Sequence, residues 1–155
     1  MQRAMFFEDF HVGMKFESKP RMITQDNIKE FADLTGDKNP IHIDPEFAKN
    51  SLFGRTIGHG LLTLGVALGE WYDLDVTRES VVAFVGINNL TFKAPVFPGD
   101  SVKLRSEVTS VRSSKSHPEL GLVSFKDLML NQKGESVLEF EPTLMLLKKS
   151  VEKAN

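Results

Sequence analysis

The sequence of 155 residues contains no cysteine. This absence excludes a disulfide framework, a thiolate metal site and thiol catalysis, and it fits a reducing compartment such as the cytoplasm. Long hydrophobic runs are also missing: the longest apolar stretch, residues 61–68, is interrupted by Thr63 and Gly65 and is too short to cross a bilayer. Residues 1–10 lack the basic start and the unbroken apolar run of a signal peptide. We therefore expect a soluble cytoplasmic protein.

The sequence has no large excess of charge of either sign. The formal net charge is -2 and the pI is near 6.1, so the surface as a whole does not attract nucleic acid or an anionic membrane. No phosphate-cradling loop and no dinucleotide-binding glycine fingerprint occur. What the sequence does have is 41% hydrophobic and 26% charged residues, a composition that predicts one globular domain over residues 1–155.

The first half of the chain is predicted to be mainly helical. Residues 15–23 predict a short, irregular strand, after which Thr24 can cap a helix that Gly36 closes. Residues 59–74 predict a longer helix whose apolar residues surround it almost completely, so it should be buried on most sides. Its glycines should mark places where a neighbour comes close to the backbone; they are Gly58, Gly60, Gly65 and Gly69.

The second half alternates between polar and β-branched residues and predicts four strands. The predicted strands are residues 81–92, 101–111, 121–130 and 136–147. The connectors are rich in turn formers, so the last three strands should form an antiparallel meander. One apolar helix followed by a long antiparallel sheet predicts an α+β domain in which the sheet wraps the helix.

A stiff polar turn occupies residues 35–44, TGDKNPIHID. Pro40 removes one backbone donor, fixes φ and pushes Asn39 toward extended geometry. The spacing of Asp37 and His42 across this turn can point both side chains into one space. A histidine can take a proton from water and return it near neutral pH, while the carboxylate holds the same water. The turn therefore predicts an acid/base site.

Structural interpretations of the same residues remain open. Asp37 could merely cap a turn and Asn39 could form an Asx-turn, whereas Asp44 is expected to cap a short helix at residues 45–49. A metal site formed by Asp37, His42 and Asp44 is a weaker interpretation, because no second cluster of ligands accompanies these residues. We predict no metal.

The segment Gly58–His59–Gly60 begins the long helix. The first N–H groups of a helix have no partner within it and carry the positive end of the helix dipole. Gly60 would let a carbonyl oxygen approach these donors, which suits an enolate oxyanion. Alternatively, the glycines only permit tight packing at the helix start. His59 itself is interpreted as structural.

Three segments together resemble the MaoC-like dehydratases and (R)-specific enoyl-CoA hydratases. They are residues 31–48 (FADLTGDKNPIHIDPEFA), 53–62 (FGRTIGHGLL) and 92–100 (FKAPVFPGD). With the matching order of elements, the likeness extends from about residue 7 to residue 148. The resemblance implies a hot-dog fold, in which an antiparallel sheet wraps one long central helix. It further implies a homodimer or an assembly of dimers, with acyl-CoA bound at the subunit interface.

The resemblance also implies a reaction of fatty acid metabolism. Water would add syn across a trans-2-enoyl-CoA to give an (R)-3-hydroxyacyl-CoA, or the reverse dehydration would occur, without a metal or redox cofactor. Such an enzyme is a hydro-lyase. The alternatives are an acyl-thioester hydrolase or acyl-carrier-protein dehydratase on the same fold, or a non-catalytic acyl-CoA-binding protein.

By resemblance, Asp37 and His42 fall on the catalytic pair of the family, and Asn39 on a position that helps to arrange it. Gly60 falls on the glycine whose N–H polarises the thioester carbonyl. The sequence departs from the pattern at one position, since some short-chain hydratases have a serine where this chain has Leu68.

Two basic residues are candidates for binding the phosphates of CoA. Arg55 and Lys93 lie in the family-like segments, although each could equally be a solvated surface charge.

Overall fold

The computed structural model describes residues 4–149. A short 3₁₀ helix, Phe7–Asp9, precedes the other elements. The helices are α1 (Gln25–Thr35), α2 (Pro40–Ile43), α3 (Pro45–Lys49) and α4 (Gly60–Asp73). The strands are β1 (Lys15–Glu17), β2 (Arg21–Met22), β3 (Val81–Phe92), β4 (Ser101–Ser113), β5 (Leu120–Leu130) and β6 (Ser136–Leu147).

One antiparallel sheet has the strand order β1-β4-β5-β6-β3, and β2 also pairs with β4. The predicted meander of the last three strands is confirmed, because β5 pairs with both β4 and β6. The strand β3 pairs with β6, from Val81 opposite Leu146 to Phe92 opposite Leu138. This pairing brings the end of β3 toward the start of α4, where the site forms.

The predicted first strand is divided into β1 and β2. Between them, Ser18 makes two hydrogen bonds with the main chain of Leu104, which is distant in sequence. Its hydroxyl accepts from the Leu104 N–H at 2.9 Å, and its own N–H donates to Leu104 O at 2.9 Å. Pro20 follows and has no N–H to give to a ladder. The chain therefore still runs along β4, but as two short pieces rather than one strand.

The helix α1 has the predicted ends. The Thr24 hydroxyl accepts from the Asn27 N–H at 3.1 Å, and the Asn27 side chain accepts from the Thr24 N–H at 2.9 Å. At the other end Gly36 has a φ of 80°, and its N–H donates to Ala32 O at 2.9 Å. Such a left-handed position favours glycine, since it has no Cβ. These caps stop α1 immediately before Asp37.

The helix α4 packs against the inner face of the sheet. Its buried residues are Thr63, Ala67, Glu70 and Trp71. The Trp71 ring lies 4.6 Å from the Phe125 ring, centroid to centroid, within a core of apolar strand residues. A long helix packed along one face of a single antiparallel sheet is the hot-dog architecture, and the predicted α+β fold is confirmed.

The opposite face of α4 is exposed, so the prediction of burial on most sides is wrong for this chain. Leu61 is 61% exposed and Tyr72 is 63% exposed. A Cβ at Gly65 or Gly69 would meet nothing within 4 Å, although we predicted a close neighbour at both. The physical reason is that a single sheet covers only one side of a helix.

A buried carboxyl group lies beneath α4. Asp127 on β5 is fully buried, and it accepts hydrogen bonds from the Trp71 indole N–H at 2.8 Å and from the Ser106 hydroxyl. Burial disfavours its charged form and raises the pKa of Asp127 to about 6, although both hydrogen bonds act in the opposite direction.

Across residues 4–149, no helix has both the length and the hydropathy needed to span a membrane. The organisation of residues 1–155 as a single domain stays a prediction.

Candidate active site

A cavity of about 520 Å³ opens at the N-terminal end of α4. Its walls are mostly apolar, and its polar side chains come from the segments that the sequence singled out. The lining residues that carry or shape the chemistry are Asp37, His42, His59, Gly60, Phe92 and Lys93. The structure therefore brings the predicted acid/base turn and the predicted helix start into one space.

The turn after α1 contains one helix that the sequence did not predict. Asn39 caps α2, because its side-chain oxygen accepts from the Ile41 N–H at 3.2 Å, and Pro40 occupies the first position. Gln25 on α1 donates to His42 O at 3.0 Å and accepts from the Thr56 hydroxyl at 2.8 Å. These bonds hold α2 between α1 and the segment that leads into α4.

His42 is half-buried and its orientation is fixed by one hydrogen bond. Its Nδ1 lies 2.8 Å from the main-chain oxygen of Ile57. Because a carbonyl oxygen only accepts, Nδ1 must carry the hydrogen, and in the neutral ring Nε2 then has a free lone pair. His42 is therefore arranged to take a proton through Nε2.

Asp37 is exposed and lies close to this imidazole. One ligand-type atom from each of Asp37, His42 and His59 lies within 4.8 Å of the other two. The Asn39 N–H is 3.4 Å from Asp37 Oδ1, so the main chain at Asn39 supports the carboxylate. The five-residue spacing does bring the predicted pair together.

His59 also lines the cavity, although its sequence context led us to interpret it as structural. It is 2% exposed, and its ring stacks on the His42 ring with the centroids 3.8 Å apart. Its Nε2 lies 3.0 Å from the main-chain oxygen of Asp37, while its Nδ1 is buried with no hydrogen-bond partner among the described residues. The only sequence signal was its position directly before Gly60.

Gly60 is the first residue of α4, and its N–H has no partner within the helix. A Cβ added here would lie 2.6 Å from Cε1 of Phe92, so any larger residue would require the Phe92 side chain to move. Gly58 is also close to a neighbour, since its Cβ would lie 3.4 Å from Val96 O. Both interpretations of Gly60, tight packing and an accessible donor, are compatible with this geometry.

The cluster of Asp37, His42 and His59 fits a metal ion poorly. A coordinating imidazole holds its metal in the plane of the ring. The His42 and His59 rings are stacked, 29° from parallel, so their planes do not meet at one ion close to both nitrogens. Asp44, the third ligand considered from the sequence, is turned away to cap α3, where its carboxylate accepts from the Glu46 N–H at 3.0 Å.

The remaining candidates divide between the cavity and its surroundings. Lys93 lines the cavity, whereas the Arg55 guanidinium lies 3.9 Å from the centroid of the Phe97 ring and does not line it. Leu68, which stands where some relatives of the predicted family have serine, packs against the hydrophobic core.

Comparison with known proteins supports the resemblance over most of the chain. The MaoC like domain family matches residues 9–124. The chain is 38% identical over 109 residues to the 3-hydroxybutyryl-CoA dehydratase of Methylorubrum extorquens, over 70% of this chain and 67% of that protein. It is 32% identical over 145 residues to the (R)-specific enoyl-CoA hydratase of Rhodospirillum rubrum, over 91% of each.

Superposition on a solved structure supports the same fold. The MaoC-like dehydratase of Rhodospirillum rubrum superposes with a TM-score of 0.85 at 28% identity, covering 96% of this chain and 100% of that one. The fold, the site segments and the relatives therefore agree, and the protein belongs to the MaoC-like dehydratase family.

Proposed function

We propose that this protein hydrates trans-2-enoyl-CoA to (R)-3-hydroxyacyl-CoA, or catalyses the reverse dehydration. The observation that carries the proposal is that Asp37 and His42 lie together beside the N-terminus of α4. The bond from His42 Nδ1 to Ile57 O leaves Nε2 of the same ring free. The relatives named as hydratases and dehydratases support the same reaction class.

In the hydration direction, Asp37 and His42 hold a water molecule against C3 of the enoyl thioester. As the water oxygen bonds to C3, its proton passes to His42 Nε2 and the C2–C3 π electrons move onto the thioester as an enolate. The proton on His42 is then delivered to C2 on the same face while the thioester carbonyl re-forms. Water is thereby added syn, with no proton lost or gained.

The enolate oxygen needs donors while it carries charge. The Gly60 N–H is unpaired within α4 and lies at the positive end of that helix, so it can donate to the thioester oxygen. Phe92 packs beside this glycine and forms part of the apolar wall of the cavity. Asn39 supports this arrangement indirectly, through its N–H to Asp37 and its cap on α2.

The thioester has to enter with its CoA portion outside the cavity. Lys93 lines the cavity and is the better placed of the two predicted phosphate-binding residues, because Arg55 does not line it and is already engaged with the Phe97 ring. We propose that no metal or redox cofactor takes part. Proton transfer and oxyanion stabilisation by the described groups account for every step.

We also propose that the protein is a homodimer. The strand β3 ends the sheet, and among residues 4–149 its outer edge has no strand partner. Val82 is 50% exposed and Val85 is 52% exposed on this strand. A free edge with exposed apolar residues is one that a second chain can cover.

The test is a hydration assay with crotonyl-CoA, following loss of enoyl absorbance and the chirality of the product. The wild type should form (R)-3-hydroxybutyryl-CoA, and exhaustive treatment with a chelator should leave the rate unchanged. Asp37→Asn and His42→Ala should each reduce kcat by about 10²–10⁴-fold, because each removes a group that handles the proton. The exposed His117 offers a matched control, and His117→Ala should keep the wild-type rate.

Near-wild-type rates in Asp37→Asn or His42→Ala would contradict the assignment. Free thiol appearing from the acyl-CoA instead of a hydrated product would identify a thioester hydrolase. Tight binding of acyl-CoA without turnover would identify a binding protein.

A further inference from the structure

We propose that His59 is a positioning residue that sets the placement of Asp37 against His42. This inference rests on the proposed function, because it concerns the same site, but it assigns a role to a residue that the proposed steps do not use. His59 would touch neither water nor thioester. It would act through the two residues that do.

The first observation is the bond between His59 and the main chain of Asp37. The His59 Nε2 lies 3.0 Å from Asp37 O, and since that oxygen only accepts, Nε2 carries the hydrogen. Asp37 follows directly after the helix end at Gly36 and is itself exposed. A buried donor that holds its carbonyl therefore limits how far this carboxylate can move.

The second observation is the contact between the two imidazoles. Their centroids are 3.8 Å apart, and Phe31 lies against His59 with its ring centroid at 4.8 Å. His59 is thus held by its neighbours and, at 2% exposure, cannot rotate into solvent. A ring fixed in this way is a rigid surface against which His42 rests.

The third observation is that the short segment of residues 57–60 contacts or supplies three groups of the site. Ile57 O orients the His42 ring, His59 Nε2 holds Asp37 O, and Gly60 supplies the unpaired N–H at the helix start. Because His59 is also the N-cap residue of α4, any shift of its ring moves the acid/base pair relative to the helix terminus. A misplacement of about 1 Å in such a site can cost on the order of 10²-fold in rate.

Two substitutions separate the ring contact from the hydrogen bond. His59→Phe keeps an aromatic ring beside His42 but leaves Asp37 O without its donor. His59→Gln keeps an N–H near the place of Nε2 but loses the ring. We expect kcat to fall about 10- to 100-fold in His59→Phe with KM changed less than about threefold, because the thioester contacts remain. His59→Gln should recover most of the lost kcat.

The histidine tautomers give a measurement that does not depend on a variant folding. In ¹⁵N NMR spectra of the wild type, His42 should carry its hydrogen on Nδ1 and His59 on Nε2. A His59 ring with its hydrogen on Nδ1 and none on Nε2 would overturn the proposal, since the bond to Asp37 O could not then exist.

The outcomes distinguish this inference from the proposed function. If the wild type hydrates crotonyl-CoA, Asp37→Asn is inactive and folded His59→Phe keeps the wild-type kcat, only the role of His59 is refuted. An equal loss in His59→Phe and His59→Gln, with unchanged melting temperatures, would also refute it, because the imidazole itself, rather than its hydrogen bond to Asp37 O, would then be what the reaction requires. A wild type without hydratase activity would refute the proposed function instead, while the tautomer measurement would still test the contact.

Discussion

At the scale of single residues, Asp127 is a buried acid that takes no part in the proposed chemistry. Its pKa lies at about 6 in the folded protein against 3.8 for the free group. The folded state therefore binds this proton more tightly than the unfolded state does. The stabilising contribution of protonated Asp127 is complete below about pH 4 and is lost as the pH rises through about 6.

This pH dependence predicts the behaviour of Asp127→Asn. Asparagine keeps an oxygen for the Trp71 N–H but never ionises, so the variant should gain stability relative to the wild type as the pH rises. The gain between pH 4 and pH 8 should approach about 3 kcal/mol, because one pKa unit corresponds to about 1.4 kcal/mol. Urea unfolding of both proteins at each pH measures it.

The control for this prediction is Asp26→Asn, at an exposed position in the first turn of α1. Its stability relative to the wild type should change little with pH over the same range. The prediction would be contradicted if the difference in the free energy of unfolding between Asp127→Asn and the wild type also stayed constant from pH 4 to pH 8.

The sequence predicted part of the geometry of the candidate site. The proximity of Asp37 and His42 was predictable because both lie on one local turn, and Asp44 was correctly assigned to a cap. The place of His59 was not predictable, since its contacts with Asp37 and His42 depend on how residues 36–44 fold back onto the start of α4. A tertiary contact of this kind cannot be predicted from local sequence patterns.

At the scale of elements, the short helix α3 allows a test of Asp44. Its carboxylate accepts from the Glu46 and Phe47 N–H groups at 3.0 and 3.2 Å. Asp44→Ala should lower the free energy of unfolding by about 1 kcal/mol, because the cap is lost. Asp44→Asn keeps a capping oxygen. Its unfolding equilibrium constant and its kcat should therefore each stay within about twofold of the wild-type value.

Urea unfolding and crotonyl-CoA hydration on the same samples measure both effects. A loss of activity in Asp44→Asn as large as that in Asp37→Asn would show that Asp44 acts in the chemistry.

Elements with strong local signals were the ones predicted well. The strands β3 and β6 have the predicted bounds, and α1 has both predicted caps. The failures came from interactions with distant residues: the hydrogen bonds of Ser18 with Leu104 divide the first strand, and the side of α4 that the sheet covers is set by packing. Hydrophobic pattern alone cannot tell a helix face covered by its own chain from one that is not.

At the scale of the whole molecule, the free edge of β3 predicts a dimer. Sedimentation or light scattering should give about twice the chain mass of 17.4 kDa. Val85→Lys places a charge in the middle of the exposed edge strand and should shift the protein to a monomer, because burying an unpaired charge is costly.

Val12→Lys is the matched control, since Val12 is 63% exposed and lies outside β3. It should leave the dimer intact. A wild type that is monomeric at micromolar concentration, or a Val85→Lys variant that remains dimeric, would contradict the use of this edge. The cytoplasmic location stays a prediction.

Trp71 is the only tryptophan in the chain, and it donates its indole N–H to Asp127 at 2.8 Å. Its near-ultraviolet emission therefore comes from a single fluorophore fixed between helix and sheet, without any label. Titration of the carboxyl group beside it changes the electric field across the indole, so the emission wavelength should shift near pH 6 while the protein stays folded. The protein thus contains its own optical pH indicator, placed at the centre of its core.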